Sequence, residues 1–379
     1  MNTILDYIRW RGDVPLSFDG IRDADALVLS LLSYLDLKPM WTEDTEELYL
    51  RDCQKMVDDG SLRVLLVAGG FDYNAIAEAA IASRRFGALR ITDYVDLLRE
   101  DPPLQFSAMC FHDESGLSFL AYRGTDNTLS GWEEDFMIGA TRTEAQQLAL
   151  AYADRHLREE RRWFLGGHSK GANLALYAAC GLPAALLKHV ERIYILDGPG
   201  LCPEVMDAEI VRRVDRLCRR IIPSFSVVGK LFEPKITDSH IVQCTVSGFM
   251  QHSLACWGLD YGELAPGQTD PSSVWINNTL RDWINNMPFE DRRVFIRELF
   301  QALAAGGAHR LDELDDAGPA GFEAIMRRLL SSSEVTRKTL SDLPAQAVNQ
   351  AKAAASRLTE NLRRSAEEAA SKLAGKDGS

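Results

Sequence analysis

Residues 164–179, FLGGHSKGANLALYAA, change from strand-like to helix-like sequence at a single serine, Ser169. The apolar run WFL before it is typical of a buried strand, and the run ANLALYAA after it is typical of a helix. Gly167 and Gly171 lie two positions to either side of the serine. Small residues at these positions permit a sharp strand-to-helix turn that exposes a nucleophilic hydroxyl. A GxSxG pattern also arises by chance in long proteins, but the flanking strand and helix favour a nucleophile over a plain glycine turn.

Strand-like and helix-like segments alternate through the middle of the chain. The runs LQFSAMCFH (104–112) and LSFLAYRG (117–124), joined by DESG, predict a β-hairpin. The helical segment TRTEAQQLALAYADRHLREE follows, and Thr141 with Glu144 resembles a capping box. RIYILDGPG, RIIPSFSVV and HIVQCTVSG add three strand candidates. This alternation predicts an α/β fold with a mostly parallel sheet and helices on both faces.

The chain divides into four regions by sequence pattern. Apolar residues at helical spacing predict a mostly helical N-terminal part, and helical patterns return after the last strand candidate. The predicted regions are a helical N-terminal part packed on the core (1–103), an α/β core with the candidate catalytic residues (104–260), a C-terminal helical region (261–333) and an Ala/Lys/Glu-rich helical tail (334–379).

The predicted tail has an apolar face that repeats every eleven residues, the interval that suits a nearly straight helix. Because that face is mostly alanine, we expect a long helix that protrudes from the core or covers it only loosely. Contact with an anionic membrane surface, self-association and a solvated helix are the alternatives for this segment. Its basic residues outnumber its acidic ones, and they include Arg337, Lys338, Lys352, Arg357, Arg363 and Arg364.

Composition excludes several classes of function. With a formal net charge of −13 and no basic patch interleaved with aromatics, nucleic acid is not an expected partner. The first residues lack the pattern of a secretory signal, and no apolar run reaches membrane-spanning length. The 7 cysteines are scattered without a CxxC pair, so we expect reduced thiols, no disulfide and no zinc site. We therefore expect a cytoplasmic protein, peripheral to the membrane if the tail binds one, that needs no metal or cofactor.

The motifs together resemble those of a known family. YRGTDNTLSGWEEDF, GHSKGANLALYAA, ILDGPG and QHSLACW, read in that order, are similar to a bacterial family of uncharacterised, lipase-like proteins. That family is similar in turn to the class 3, fungal-type lipases of the α/β-hydrolase superfamily. The resemblance spans about residues 105–257, with a fainter match at DYIRWRGD, and it implies an α/β-hydrolase fold and acyl-ester chemistry. The chain departs from the family's pattern at Ala172, where a second glycine is expected after the elbow, and alanine is small enough to keep the turn.

The candidate acid is Asp197, because it ends the strand IYIL and begins a Gly-Pro-Gly loop at the carboxyl edge of the predicted sheet. A turn-capping aspartate is the competing interpretation. Many lipases carry their acid after the next strand, where this chain has only Ser226, and this favours Asp197. Asp238, in KITDSH, is the fallback, because it also lies between Ser169 and the candidate histidine.

The candidate base is His252, which follows the last predicted strand in the loop VSGFMQHS. This fold orders its triad as serine, acid, histidine, so His189 comes too early, and His309 lies in the C-terminal helical region. His240 is predicted at the start of the strand IVQCTV, the wrong end of a parallel strand. The position of His252 in the chain order and its match to the family's QH…W pattern favour it.

Two backbone N–H groups are candidates for the oxyanion hole. One belongs to Lys170, directly after the serine, and the other to Thr125 in RGTD, which resembles the lipase RGT motif. We expect Arg123 and Asp135 to form an ion pair that braces this loop. The Lys170 side chain, in the first helical turn, is expected to be solvated.

These residues predict a serine hydrolase that cleaves a carboxylic ester, a lipid or another small-molecule acyl ester, through a Ser169, His252 and Asp197 triad. A thioesterase or peptidase with the same triad is the first alternative, since acyl specificity depends on pocket shape. A catalytically idle hydrolase fold that binds partners through its C-terminal helix is the second. Reaction with a fluorophosphonate separates the idle fold from the enzymes, because it requires an activated serine.

Overall fold

An eight-stranded sheet with sequential strand order, β1 to β8, forms the centre of the molecule in the computed structural model. The structure describes residues 1–66, 70–99, 104–125, 137–138, 142–271, 273, 288–305, 324, 327–328 and 331–342. The strands are β1 Glu47–Tyr49, β2 Arg90–Arg99, β3 Leu104–His112, β4 Leu117–Tyr122, β5 Arg162–His168, β6 Val190–Leu196, β7 Cys218–Pro223, β8 Ser239–Val242, and a separate hairpin of β9 Leu259–Asp260 and β10 Glu263–Leu264.

The direction of pairing changes at β4. Strands β1 to β4 pair antiparallel, and β4 to β8 pair parallel. Parallel strands require crossover connections, and helices lie between β4 and β5 and between β5 and β6. The carboxyl ends of β5 and β6 therefore meet at one edge of the sheet, where Ser169 and Asp197 follow them directly.

Helices cover both faces of the sheet. The described α-helices are α1 Ile4–Arg11, α2 Leu16–Asp19, α3 Asp23–Leu32, α4 Gln54–Asp58, α5 Tyr73–Ala82, α6 Arg84–Gly87, α7 Glu144–His156, α8 Lys170–Gly181, α9 Ala184–Leu187, α10 Ala208–Val214, α11 Phe289–Ala305 and α12 Glu334–Asp342. Apolar residues of α1 to α6 form one core against the sheet, and those of α7 and α8 form the other. The predicted α/β fold, with a mostly parallel sheet covered by helices on both faces, is confirmed.

The first hundred residues contain two strands in addition to the predicted helices. Strand β2 pairs along β3, and the short β1 pairs with β2, so the sheet extends beyond the predicted hairpin. Most residues of β2 are half-buried or exposed, the exposed ones include Leu97 and Leu98, and the register shifts between Thr92 and Val95. A bulged, half-exposed strand lacks the strict alternation on which strand prediction depends. The hairpin of β3 and β4 itself is as predicted.

The cap of α7 differs from the predicted one. Thr143 is the N-cap, its hydroxyl accepts from the backbone N–H of Gln146, and the Gln146 side chain accepts from the Thr143 N–H. Thr143 and Gln146 have the same spacing as the predicted pair of Thr141 and Glu144, two residues further along. Thr141 lies outside the described residues.

The predicted tail begins as a helix at Glu334, and its first turn contacts α11. The Glu298 carboxylate on α11 accepts from the Ser333 N–H at 3.1 Å and from the Ser333 hydroxyl at 2.7 Å. The remainder of the tail, from residue 343, lies outside the described residues, so its course stays a prediction. In the described part of the chain, no helix has both the length and the apolar composition that crossing a membrane requires.

A buried ion pair joins the N-terminal helices. The Arg85 side chain, with no exposed surface, donates to both carboxylate oxygens of Asp25 at 2.6 Å. Its remaining N–H groups reach the carbonyl oxygens of Val14 and Gly20, and the Tyr7 hydroxyl donates to Asp25 at 2.8 Å. The guanidinium therefore joins α3 to the turn around α2, and the Asp25 carboxylate joins both to α1 through Tyr7.

Removal of this guanidinium leaves the Asp25 carboxylate buried without its counter-charge. We expect Arg85→Met to lower the free energy of unfolding by about 3–5 kcal/mol. The matched control is Arg90→Met, since Arg90 pairs with Glu47 on a surface where their side chains are 38% and 47% exposed. That change should cost about 1 kcal/mol or less. Urea denaturation followed by circular dichroism measures both, and equal losses would contradict the assigned role of Arg85.

Candidate functional site

Ser169 occupies a strained turn between β5 and α8. Its backbone has φ 58° and ψ −126°, a combination that residues other than glycine rarely adopt. The Ser169 N–H donates to the Leu196 carbonyl at 3.0 Å, so the strand ladder continues to the turn itself. The helix begins at the next residue, Lys170. This is the sharp strand-to-helix turn that the sequence predicts, and Ser169 is 5% exposed in it.

The two flanking glycines are required by close backbone packing. A Cβ at Gly167 would lie 2.5 Å from the Tyr122 carbonyl oxygen, and a Cβ at Gly171 would overlap the same oxygen. The first turn of α8 therefore rests directly on the end of β4. Ala172 is fully buried here, next to Gly198, so the departure from the family's second glycine is accommodated.

Asp197 follows β6 at the same edge of the sheet, and its carboxylate is 1% exposed. Its Oδ2 lies 2.6 Å from His252 Nδ1. Its Oδ1 accepts from the Ser226 hydroxyl at 2.5 Å and from the Gly229 N–H at 3.2 Å. The two carboxylate oxygens therefore bind different groups: Oδ2 contacts the histidine, and Oδ1 accepts hydrogen bonds from the loop after β7. Ser226, which occupies the position where many lipases carry their acid, therefore donates a hydrogen bond to the candidate acid that follows β6.

The fallback acid lies elsewhere. Asp238 accepts from Arg219 at 2.6 Å and lies 2.6 Å from His240 Nε2, on a surface where the Asp238 side chain is 37% exposed. His240 lies within β8, as predicted, with its side chain 46% exposed. Among the described residues, the structure brings Asp197 and not Asp238 to His252.

The contact with Asp197 fixes which nitrogen of His252 is basic. An ionised carboxylate only accepts hydrogen bonds, so the proton of a neutral imidazole lies on Nδ1 and the lone pair on Nε2. The ring is 19% exposed, in a short 3-10 turn, Gly248–His252. No hydrogen bond joins Ser169 Oγ to His252 in the described structure, and catalytic contacts are commonly longer before substrate binds.

Side chains of the predicted QH…W pattern hold the turn that carries His252. The Gln251 side chain accepts from the Phe225 N–H at 2.7 Å and donates to the Val246 carbonyl at 3.0 Å. The Trp257 indole N–H donates to the Gln251 carbonyl at 2.9 Å. Gln251 and Trp257 therefore hold the backbone on both sides of His252.

Asn173 is a site residue that the sequence analysis missed. It is fully buried on α8, and its amide donates to the carbonyl oxygens of Pro199 and Gly200 at 3.1 and 2.8 Å. Gln146 donates to its side-chain oxygen at 2.9 Å. Asn173 therefore holds the Gly-Pro-Gly loop that follows the acid. Its position four residues after the serine, one helical turn along α8, is the sequence signal that could have identified it.

The candidate oxyanion residues flank the serine. Thr125 is buried, and a Cβ built on its neighbour Gly124 would lie 3.3 Å from Ser169 Cβ. The backbone N–H of Lys170 is the first of α8 and directly follows Ser169. Residues 126–136, which continue the RGTD segment, lie outside the described residues.

One side-chain expectation for this region needs correction, and a second involves a residue outside the described part of the chain. The Lys170 side chain is not solvated: the residue is 1% exposed and its ammonium donates to the Gln105 side chain at 3.2 Å, because the first turn of α8 packs beside the start of β3. Arg123 pairs with Asp96 on β2 at 2.6 Å. Burial would raise the pKa of Asp96, but the charges and hydrogen bonds of Arg123 and Lys38 together outweigh it and lower that pKa. Asp135, the expected partner of Arg123, lies outside the described residues.

One group of potential metal ligands occurs among the described residues, away from the serine. Ligand atoms of Asp93, Cys110 and His112 lie within 4.8 Å of one another. The Thr92 hydroxyl lies 2.6 Å from Asp93 and 2.9 Å from His112, whose other nitrogen is 2.8 Å from the Ser118 hydroxyl. Hydrogen bonds between side chains already engage Asp93 and both nitrogens of His112, and we assign no metal to the group.

Comparison with known proteins places the chain in a family. The sequence matches the family model described as Mbeg1-like over residues 80–301, more than half of the chain. None of the curated proteins matches it. Its fold is similar to the crystal structure of M37 lipase, with 15% sequence identity, a TM-score of 0.35, and coverage of 56% of this chain and 70% of that chain. A likeness this distant says nothing about activity, whereas the extent of the family match means that the chain belongs to the Mbeg1-like family.

Proposed function

We propose that the protein is a serine hydrolase that cleaves carboxylic esters, with a lipid or another acyl ester as substrate. The observation that carries the proposal is the 2.6 Å contact between the buried Asp197 carboxylate and His252 Nδ1, at the sheet edge where Ser169 occupies its strained turn. A buried carboxylate that orients an imidazole beside a serine on such a turn is the arrangement of a serine hydrolase. An idle scaffold has no need of that arrangement.

In the proposed reaction, Ser169 Oγ attacks the ester carbonyl carbon while His252 Nε2 takes the hydroxyl proton. The Asp197 carboxylate keeps the proton of the resting ring on Nδ1 and stabilises the imidazolium that forms. The backbone N–H groups of Lys170 and Thr125 stabilise the oxyanion. The imidazolium then protonates the leaving alcohol, and an acyl group remains on Ser169. Water, activated by the same nitrogen, releases the carboxylic acid and restores the serine.

Replacement of the nucleophile tests the proposal directly. Ser169→Ala should abolish both labelling by a fluorophosphonate and turnover of p-nitrophenyl butyrate, because alanine fits the elbow but has no hydroxyl. Ser115→Ala, in the exposed turn between β3 and β4, is the control and should behave as the wild type. Gel fluorescence and mass spectrometry of the labelled peptide give the readout. Labelling that persists in Ser169→Ala at another serine would refute the assignment, and an unlabelled wild type would favour the idle scaffold.

The two candidate acids provide a second, matched test. Asp197→Asn should lower kcat about 10⁴-fold, because an amide can donate to His252 and so favours the wrong tautomer. Asp238→Asn removes a carboxylate of the same type from an exposed ion-pair cluster and should leave kcat within about twofold of the wild type. Steady-state kinetics on folded protein, verified by thermal melting, measure both. If Asp238→Asn were the damaging change, the assigned acid would be wrong.

A further inference from the structure

A second buried histidine, His168, lies next to the proposed nucleophile and has no part in the reaction as written. It is the last residue of β5 and is 1% exposed. Its Nε2 lies 2.7 Å from the backbone carbonyl oxygen of His252, and its Nδ1 lies 3.2 Å from the Tyr34 hydroxyl. Both ring nitrogens therefore have defined partners on segments far apart in sequence.

The chemistry of these partners fixes the state of the ring. A carbonyl oxygen only accepts, so His168 Nε2 must carry a proton and donate it. Burial, reinforced by the proximity of His252, lowers the pKa of His168 well below its usual value, so the ring is neutral. Nδ1 then has a lone pair, and the Tyr34 hydroxyl donates to it. Hydrogen bonds thus run from Tyr34 through His168 to the backbone of His252.

The two imidazoles are also in contact. Their ring centroids are 4.4 Å apart, with the planes inclined at 39°. His252 becomes an imidazolium in the proposed reaction, and a neutral neighbour at this distance adds no repulsion between like charges. His168 therefore limits the rotation and displacement of the His252 ring without opposing its protonation.

We propose that His168, held by Tyr34, is a positioning residue that fixes the backbone and ring plane of His252 for proton transfer. This inference rests on the proposed hydrolase function. It predicts that kcat depends more on the N–H donated to the His252 carbonyl than on the rest of the His168 ring. It also makes Tyr34, in the N-terminal part of the chain, a functional partner of the strand that carries the serine.

A second contact shows that the N-terminal layer supports the same turn from another side. The Tyr73 hydroxyl at the start of α5 lies 2.7 Å from the Ser253 hydroxyl, directly after His252. Tyr34 itself is fully buried and lies against the oxyanion segment, because a Cβ on Gly124 would overlap its hydroxyl oxygen. Tyrosines from two N-terminal segments therefore position the turn that carries the base.

The test uses three variants of the full chain with p-nitrophenyl butyrate as substrate. His168→Leu removes both hydrogen bonds and should lower kcat about 100-fold with KM within about threefold of the wild type, since a misplaced base affects the chemical step and not binding. Tyr34→Phe removes one hydrogen bond and should lower kcat about tenfold. His168→Gln keeps an amide N–H that can donate to the His252 carbonyl, and kcat should return to within about tenfold of the wild type.

Tyr194→Phe is the matched control for Tyr34→Phe. Tyr194 is also buried against the N-terminal helices, where it stacks on Phe119 in the middle of the sheet. Removal of the Tyr194 hydroxyl in Tyr194→Phe should leave kcat unchanged. Thermal melting of every variant separates a loss of folding from a loss of positioning.

A spectroscopic readout follows His252 without any turnover. In NMR spectra of protein that contains ¹⁵N-labelled histidine, the Nδ1 proton that His252 donates to Asp197 should give a downfield proton resonance. We expect this resonance in the wild type, in Ser169→Ala and in His168→Gln. That resonance should broaden or disappear in His168→Leu, because the loosened ring exchanges its proton with water.

The possible outcomes separate the two proposals. A folded His168→Leu with wild-type kcat and an intact His252 resonance would overturn the positioning role, as would a stably folded His168→Gln as inactive as His168→Leu. A wild-type protein that neither reacts with a fluorophosphonate nor cleaves esters would remove the hydrolase proposal alone. In that case the His252 resonance in the His168 variants still decides whether His168 positions the ring.

Discussion

The close approach of α8 to the end of β4 is the constraint on which the rest of the site depends. The Tyr122 carbonyl oxygen occupies the space that side chains at Gly167 and Gly171 would need. Only with both glycines can the chain leave β5, pass through the strained backbone of Ser169 and begin a helix at once. The serine is thereby raised at the sheet edge with the first N–H of α8 beside it. The other groups of the site are brought to this fixed point by loops.

Those loops are held by polar side chains that are themselves buried. Ser226 and Gly229 hold one oxygen of Asp197, and Asn173 on α8 holds the loop that follows it. The turn with His252 lies outside the strands, and the N-terminal layer supplies two tyrosines, Tyr34 after α3 and Tyr73 on α5, that support it through His168 and Ser253. Buried hydrogen bonds of this kind position a reactive group more closely than an exposed loop can. The N-terminal layer is thus part of the proposed site as well as of the core.

The sequence predicts the elements whose physical signal is local. The β3–β4 hairpin, the elbow at Ser169 and the helix after it follow from periodicity and from glycine placement, and the structure has them. The bulged strand β2 was missed, because its alternation is broken and one face is half exposed. The partners of buried side chains were not predicted from the sequence. Lys170 is buried against Gln105, and His168 contacts Tyr34, which is 134 residues away in the chain. No periodic pattern encodes such long-range contacts, since they depend on how the layers pack.

A crystal structure of the protein inactivated with a phosphonate ester tests the central claim most directly. The phosphonate forms a covalent bond with an activated serine and mimics the oxyanion intermediate. The account predicts phosphorus on Ser169 Oγ, the phosphoryl oxygen within hydrogen-bond distance of the backbone N–H groups of Thr125 and Lys170, and His252 Nε2 facing the adduct. An adduct on a different serine, or a phosphoryl oxygen directed away from both N–H groups, would contradict it.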